Sequence, residues 1–197
     1  MTQTRLKGPE RRERFLDAAA QIVLEQGVWA VTMDGVAAKT GVNKSLGYRY
    51  FTDKDALLEA LFDRESRVYA GRYAADLPPN PSFEDYVRSA LRLWFRRIDE
   101  RGELFLRLTS ESGPLAERAK AMRQADVDGW TQGLQLAYKL PPTQARQLAW
   151  YMVAGVSGVL ASRTGQGDDE LIETITLAVT ASAKALRARY VPKPHAV

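Results

Sequence analysis

Most side chains between residues 43 and 54 can donate or accept hydrogen bonds, and few of them suit a hydrophobic core. The stretch opens on Asn43, and only Leu46 and Phe51 are purely apolar. Its cations and hydroxyls are Lys44, Ser45, Tyr48, Arg49, Tyr50, Thr52 and Lys54. A short helix of this composition suits the DNA major groove, where its first residues reach base edges and its cations and hydroxyls contact phosphates. These residue types therefore indicate a nucleic-acid surface.

Two short helices joined by a glycine turn would position these side chains. Thr32 is a candidate N-cap of the first helix, because its hydroxyl can accept from an unpaired backbone N–H. Gly41 stands where a residue of positive φ is needed after that helix. Asn43 is a second N-cap, which opens a recognition helix through Tyr50. Helix, glycine turn and helix make a helix-turn-helix. Thr52 or Asp53 then caps a third helix.

Catalytic chemistry finds little support in the sequence. The single histidine, His195, lies in a proline-flanked C-terminal stretch, which leaves histidine-dependent base catalysis and histidine metal sites without a framework. The chain has no cysteine, so disulfides and thiolate metal sites are excluded. We therefore expect no catalytic residues, no metal site and no cofactor, and the cytoplasm as the setting.

No segment of the sequence is suited to a membrane. The N-terminal sequence MTQTRLKGPERR lacks the apolar stretch of a signal peptide. The longest apolar run, residues 148–161, is interrupted by Gly155, Ser157 and Gly158 and is too short to span a bilayer. We expect no membrane partner.

Helical periodicity dominates the rest of the chain. Apolar residues recur at helical spacing over about residues 10–26, 53–75, 82–102, 103–110, 115–140, 143–163 and 169–189. Ser82 is a candidate cap after the proline-rich loop of residues 76–81, and no alternation typical of a strand persists. With the two helices of the helix-turn-helix, the sequence predicts an all-α fold of about nine helices.

The segment from about residue 14 to residue 61 resembles the DNA-binding domain of the TetR family of transcriptional regulators. The matching pattern is Phe15-Leu16, Gly27, Thr32, Val36-Ala37, Gly41-Val42, Tyr48-Arg49-Tyr50-Phe51 and Lys54. Ser45 and Gly47 depart from it, since the family usually has glycine at the first position and a large apolar residue at the second. Glycine inside a helix costs about 1 kcal/mol relative to alanine, which leaves open whether the recognition helix is fully ordered without DNA.

The resemblance implies a three-helix DNA-binding domain over residues 1–55 and a helical bundle for ligand binding and dimerisation over residues 56–197. It implies a transcriptional regulator and favours a repressor, with an activator as the open alternative. Such a protein binds a palindromic double-stranded DNA operator as a homodimer and is released by a small-molecule effector. The residues that we assign to DNA are Thr32, Asn43, Lys44, Ser45, Leu46, Tyr48, Tyr50 and Lys54.

Aromatic and methionine residues of the second domain have two interpretations. At helical spacing they are typical of an ordinary core. The family resemblance implies instead that they line a cavity for a small apolar or aromatic effector. The residues assigned to this cavity are Trp94, Phe105, Met122, Asp126, Trp130, Leu134 and Tyr151. Asp126 would orient the ligand, unless it simply faces solvent.

The last two predicted helices contain more apolar surface than one chain of this size can cover. Residues 148–160 are apolar nearly all round, and small residues there let another backbone approach closely. We interpret the two helices as half of a four-helix dimer interface, which the resemblance also implies. The residues assigned to it are Ala154, Gly155, Gly158, Leu171, Ile175, Ala178, Val179 and Ser182.

A helical dimeric adaptor or regulator without a small-molecule ligand is the alternative interpretation. The net charge of +4 is too modest to decide the matter. Cations cluster over residues 5–14 and 39–54, in or beside the predicted DNA-binding domain, as a phosphate footprint requires. Duplex binding that falls steeply with salt would distinguish a DNA-binding regulator from an adaptor or an enzyme.

Overall fold

The computed structural model describes residues 8–75, 77–110, 112–164 and 167–191, and within these ranges the chain contains helices and no strand. The described α-helices are α1 (Gly8–Gln26), α2 (Met33–Thr40), α3 (Lys44–Gly47), α4 (Lys54–Ala75), α5 (Phe83–Arg101), α6 (Leu104–Leu108), α7 (Ala116–Tyr138), α8 (Pro142–Ser162) and α9 (Asp168–Tyr190). A short 3-10 helix, Val28–Ala30, separates α1 from α2. The predicted all-α fold of about nine helices is confirmed. No described helix is long and apolar enough to cross a membrane.

One predicted helix is shorter in the structure. The sequence predicted a recognition helix through Tyr50, but α3 ends at Gly47 and continues as a turn. The Gly47 carbonyl accepts from the backbone N–H groups of both Tyr50 and Phe51 at 3.0 Å. This closure returns the chain to the core, where Phe51 is buried 6.4 Å from the ring of Phe15. Burial of Phe51 therefore sets the end of α3.

Packing divides the chain into two compact units. Unit 1 comprises Met1–Ala70 and Ile98–Ala119, and unit 2 comprises Gly71–Arg97 and Lys120–Val197. Unit 1 thus joins the helix-turn-helix region to a segment that lies some thirty residues further along the chain. The predicted domain boundary between residues 55 and 56 remains a prediction.

The core of unit 1 forms around α1. Phe15, Leu16 and Val23 are fully buried on its inner face, at the spacing of a helical stripe. From the distant segment, Phe105 of α6 stacks on Phe62 of α4 with ring centroids 5.6 Å apart. This apolar contact holds residues 98–119 against the helix-turn-helix region.

Three arginines of the distant segment add polar contacts within unit 1. Arg101 donates to both carboxylate oxygens of the buried Glu65 at 2.6 and 3.0 Å, a bidentate geometry. Arg107 donates to the carbonyls of Val23 and Leu24 at the end of α1, where a helix carries partial negative charge. The third, Arg118, donates to Glu59 and Asp63 of α4.

Unit 2 has its own apolar core. Phe83, Val87, Leu91 and Phe95 form a buried stripe along α5 at intervals of four residues. They pack in one cluster with buried residues of three other helices, Val127 and Leu134 of α7, Leu148 of α8, and Ile172 and Val179 of α9. The core therefore accounts for one face of each of these helices.

The start of α5 has the predicted cap. The backbone N–H of Asp85 donates to Ser82 Oγ at 3.2 Å, and the backbone N–H of Ser82 donates to Asp85 Oδ2 at 2.9 Å. This reciprocal arrangement is a capping box. The hydrogen bonds from Ser82 lower the pKa of the Asp85 carboxyl.

Candidate nucleic-acid interface

The N-terminus of α2 is capped by Thr32. Its Oγ1 accepts from the backbone N–H of Gly35 at 3.0 Å, and its backbone is extended, as an N-cap requires. The hydroxyl keeps its own hydrogen, so an exposed Thr32 can cap the helix and donate to a phosphate at once. The predicted cap is confirmed.

The turn between α2 and α3 has the predicted geometry. Gly41 has φ 67° and ψ 20°, the left-handed conformation that favours glycine. The backbone N–H groups of Gly41 and Val42 donate to the carbonyls of Ala38 and Ala37, both at 3.2 Å. These hydrogen bonds pair two carbonyls at the C-terminus of α2, and the turn directs the chain toward α3.

Asn43 and Ser45 support each other at the start of α3. Asn43 Oδ1 accepts from the backbone N–H of Ser45 and from Ser45 Oγ, both at 3.0 Å. The amide nitrogen of Asn43, a donor, takes no part in these bonds. Both residues are exposed, so the cap also presents polar groups at the surface.

Gly47 lies in close contact with α1. A Cβ at this position would lie 2.9 Å from Cε1 of Phe15 and 3.4 Å from Cε of Met33. Since Phe15 is fully buried, its ring fills the space that a larger residue at position 47 would take. The glycine lets α3 approach α1 closely.

The predicted DNA residues differ in their exposure. Thr32, Asn43, Ser45 and Tyr48 are exposed, whereas Leu46, Tyr50 and Lys54 are half-buried. Tyr50 lies 6.3 Å from the ring of Phe15 and so contributes partly to the core. The side chain of Lys44 lies outside the described part of the chain.

Asp53, rather than Thr52, caps α4. Its Oδ1 accepts from the backbone N–H of Ala56 at 2.8 Å. The next residue, Lys54, places its Nζ 5.6 Å from the ring centroid of Trp29, an exposed residue of the short 3-10 helix. The sequence analysis did not single out Trp29. A large aromatic residue three positions before the Thr32 cap was the available signal.

The cationic cluster of residues 39–54 is partly neutralised. Lys39 Nζ donates to both carboxylate oxygens of Glu25 at 2.8 and 3.0 Å. An exposed pair of this kind contributes little stability, but it removes Lys39 from the net positive charge that a phosphate meets. Arg49 is exposed and stays within the predicted surface.

The predicted effector residues do not all belong to one unit. Trp94, Met122 and Trp130 are half-buried in unit 2, and Leu134 there is fully buried. Phe105 belongs to unit 1, where it stacks on Phe62. Tyr151 is 69% exposed.

Asp126 has a charged neighbour in Arg97, a buried residue of α5. Loss of hydration raises the pKa of the Asp126 carboxyl, although the residue as a whole is exposed, and the charge of Arg97 opposes this effect. The Arg97 guanidinium lies 5.3 Å from the ring centroid of Trp94. Arg97 is thus a cation close to the predicted effector residues that the sequence analysis missed.

A groove of about 420 Å³ lies elsewhere in unit 2, along α5 and α9. Its lining is Glu84, Arg88, Glu170, Glu173, Thr174, Thr176, Leu177, Thr180 and Lys184. None of the predicted effector residues belongs to this lining. Arg88 Nε donates to Glu173 at 2.7 Å, and this hydrogen bond raises the pKa of Arg88 and lowers that of Glu173.

The predicted dimer residues lie on two sides of α8 and α9. Ala154, Gly155, Gly158 and Ala178 are exposed, and Leu171, Ile175 and Ser182 are half-buried. Val179 is only 5% exposed, because it packs into the core of its own chain. The outward side of α9 also presents Leu177, which the sequence analysis did not assign to the interface.

The fold and the surface of α2 and α3 define a helix-turn-helix DNA-binding protein. The family model described as bacterial regulatory proteins of the tetR family matches residues 15–61. This match identifies the region of residues 15–61 as a TetR-family DNA-binding domain. This family is a class of regulators rather than of enzymes.

Named relatives and solved structures agree with this assignment. The HTH-type transcriptional repressor BepR of Brucella suis biovar 1 (strain 1330) is 29% identical over 178 residues, which cover 79% of this chain and 82% of BepR. A TetR-like transcriptional regulator from Rhodococcus sp. RHA1 aligns with a TM-score of 0.68 at 22% identity over 93% of this chain and 95% of its own. The multidrug binding protein EbrR, complexed with imidazole, aligns with a TM-score of 0.60 at 23% identity over 95% and 93%. At these identities the structural likeness supports the fold alone.

Proposed function

We propose that this regulator is a repressor that binds a palindromic operator as a homodimer in the cytoplasm and releases it when a small effector binds. The observation that supports DNA binding is the exposed polar surface of the helix-turn-helix. Thr32 and Asn43 cap its two helices and present polar groups at the same time. The name of BepR supports repression rather than activation.

Contacts to DNA divide into two kinds. Residues at the start of α3, Asn43 and Ser45, are suited to base edges in the major groove, with Lys44 between them in sequence. Thr32, Tyr48 and Lys54 are suited to phosphates, which fix the register of the protein on the duplex. Leu46 and Tyr50 are half-buried and support the others through packing.

The proposed homodimer rests on two glycines of α8 that packing within one chain does not explain. Among the residues that the structure describes, a Cβ at Gly155 or Gly158 would meet no atom within 4 Å. Each glycine costs about 1 kcal/mol relative to alanine inside a helix, and no contact with the described residues requires it. Gly129 of α7 has the same open space, but the two glycines of α8 lie beside the exposed Ala154 and Tyr151. The backbone of a second copy would use the space at the two glycines of α8. Exposed Leu177 and Tyr151 add apolar surface to the same two helices.

The proposed effector site centres on the half-buried residues Trp94, Met122 and Trp130 of unit 2, with Asp126 beside them in sequence. The multidrug binding protein EbrR, which shares this fold, supports a small apolar or aromatic ligand. Phe105 and Tyr151 fit this site less well, because one stacks on Phe62 in unit 1 and the other is exposed.

Footprinting of the DNA upstream of neighbouring genes tests this proposal. We expect two symmetric half-sites with centres about 34 Å, or a multiple of that, apart, because the two-fold axis of a dimer imposes its symmetry on the operator. A screen of apolar and aromatic compounds should then identify one that abolishes the footprint. A footprint that no compound changes would favour the regulator without a small-molecule ligand.

A further inference from the structure

Trp29 is the large aromatic residue nearest in sequence to the Thr32 cap, and its side chain is 63% exposed. Its backbone is held on both sides, since Val28 is 7% exposed and Val31 is fully buried. The ring therefore occupies a fixed place on the surface without contributing much to the core. An exposed indole gains little from burial, so its position calls for another explanation.

Lys54 faces this ring. Its Nζ lies 5.6 Å from the ring centroid, within the range of a cation–π interaction. The two residues come from different elements, Trp29 from the short 3-10 helix and Lys54 from the first position of α4. The pair therefore connects the entrance of α2 with the entrance of α4.

The contact with Trp29 also places the ammonium relative to nearby acids. Lys54 stands between Asp53 and Asp55 in the sequence, and both carboxylates would attract its charge. The carboxylate of Asp53 accepts from the backbone N–H of Ala56. The ring of Trp29 offers the ammonium an alternative partner.

We propose that Trp29 is a further DNA-contact residue, whose indole packs against the sugar-phosphate backbone and holds the Lys54 ammonium toward a phosphate. This inference rests on the proposed DNA-binding function. The indole N–H is a donor and never an acceptor, which suits phosphate oxygens. The flat ring can cover a deoxyribose while its π face holds the cation. The charge of Lys54 and the hydroxyl of Thr32 fit the DNA backbone better than an apolar protein partner.

A comparison of five variants of the full chain tests the pair. The probe is a 30-base-pair duplex of mixed sequence, about 100 Å long at 3.4 Å per pair, titrated at low salt. Trp29→Ala should weaken binding at least fivefold. Trp29→Phe keeps a ring over the cation but loses the indole N–H, so its affinity should lie between those of Trp29→Ala and the unmodified protein. Leu136→Ala, a truncation of an equally exposed apolar residue of α7, is the matched control and should have no effect.

The coupling between the two residues gives the second readout. Lys54→Ala in the Trp29→Ala background should cost less affinity than in the unmodified protein, because the ammonium has already lost its orientation. Fluorescence gives the third readout. The emission of Trp29 is the difference between the spectra of the unmodified protein and Trp29→Phe, and this difference should change when the duplex binds.

Each negative outcome has a separate meaning. Unchanged affinity of Trp29→Ala together with an unresponsive Trp29 signal would overturn the inference while leaving DNA binding intact. If the double variant weakens duplex affinity by the product of the two single-variant factors, the two residues act independently and the proposed pair is overturned. Failure of the unmodified protein to bind any duplex would overturn the proposed function itself. If Trp29→Ala does not fold, the Trp29→Phe titration and its fluorescence difference still decide.

Discussion

Glycine at position 47 is set by the ring of Phe15, which lies where a larger residue would need to be. The two residues are thirty-two positions apart in sequence, and both face the core of unit 1. The close contact between Phe15 and Gly47 therefore couples the packing of α3 to that of α1.

We expect Gly47→Ala to destabilise the protein by about 1–2 kcal/mol, because the added Cβ meets a buried ring at 2.9 Å. Gly129→Ala is the matched control: a Cβ there meets no atom within 4 Å, and loss of glycine from the middle of α7 should stabilise by about 0.5–1 kcal/mol. Urea unfolding of both variants measures the two effects. A stabilised Gly47→Ala would show that the ring of Phe15 moves aside freely.

Helix ends were largely predictable because their signals are local. The caps by Thr32, Asn43 and Ser82 depend on residues two or three positions away, and the structure confirms all three. The end of α3 was not predictable in this way. It depends on the burial of Phe51 against α1, a contact between residues far apart in sequence.

Several features of the candidate site could not be predicted from the sequence because they depend on contacts between residues far apart in the chain. Trp29 and Lys54 are twenty-five positions apart, and no local pattern predicts that they meet. Arg107 contacts carbonyls of α1 more than eighty residues earlier, which places the segment of residues 98–119 in unit 1. Exposure of Tyr151 and the burial of Val179 likewise depend on how whole helices pack.

Ion pairing between α5 and α9 should make the stability of unit 2 depend on pH. The hydrogen bond from Arg88 lowers the pKa of Glu173 below its ordinary value of 4.5. A carboxyl with a lowered pKa in the folded state contributes stability above its unfolded pKa, and this contribution is lost as the pH falls below about 4.5. Glu173→Gln and Arg88→Gln should both reduce this acid sensitivity.

Thermal unfolding between pH 3 and pH 7 measures this dependence, and the two variants should give similar, flatter curves. The contribution is small because the pair is exposed and screened by solvent. Curves for both variants that coincide with that of the unmodified protein would show that the ion pair contributes nothing to stability in solution.

At the scale of the whole molecule, the open space at Gly158 leads to a prediction about assembly. Gly158→Leu should leave the folding of one chain intact, since nothing lies within 4 Å, but should separate the paired helices of a dimer. A cost of about 2 kcal/mol from overpacking raises the dissociation constant of the dimer roughly thirtyfold. Gly129→Leu introduces the same side chain on α7 and should not weaken the dimer.

Sedimentation of the three proteins at a series of concentrations measures this effect. The unmodified protein and Gly129→Leu should be dimers at micromolar concentration, and Gly158→Leu should dissociate in that range. A monomeric unmodified protein would contradict the proposed interface on α8 and α9.

Effector binding and operator binding must affect each other equally. An effector that weakens operator binding a hundredfold needs about 2.7 kcal/mol of coupling, and the operator must weaken effector binding by the same factor. We expect Trp130→Ala to abolish this response while sparing DNA affinity, because Trp130 is half-buried in unit 2, whereas the DNA surface lies in unit 1. Operator titrations with and without effector measure it. An unchanged response would show that Trp130 belongs to the core alone, through its edge-on contact with Phe83.

The salt dependence of duplex binding tests the central claim most directly, because it measures phosphate contacts whatever the operator sequence is. A plot of the logarithm of affinity against the logarithm of salt concentration should be steep for the unmodified protein. Lys54→Ala should flatten the slope by about one and weaken binding about equally for all sequences. Lys120→Ala, which removes an exposed lysine of unit 2, should change neither. Affinity that is independent of salt, or a slope that Lys54→Ala leaves unchanged, would contradict the DNA interface described for this surface.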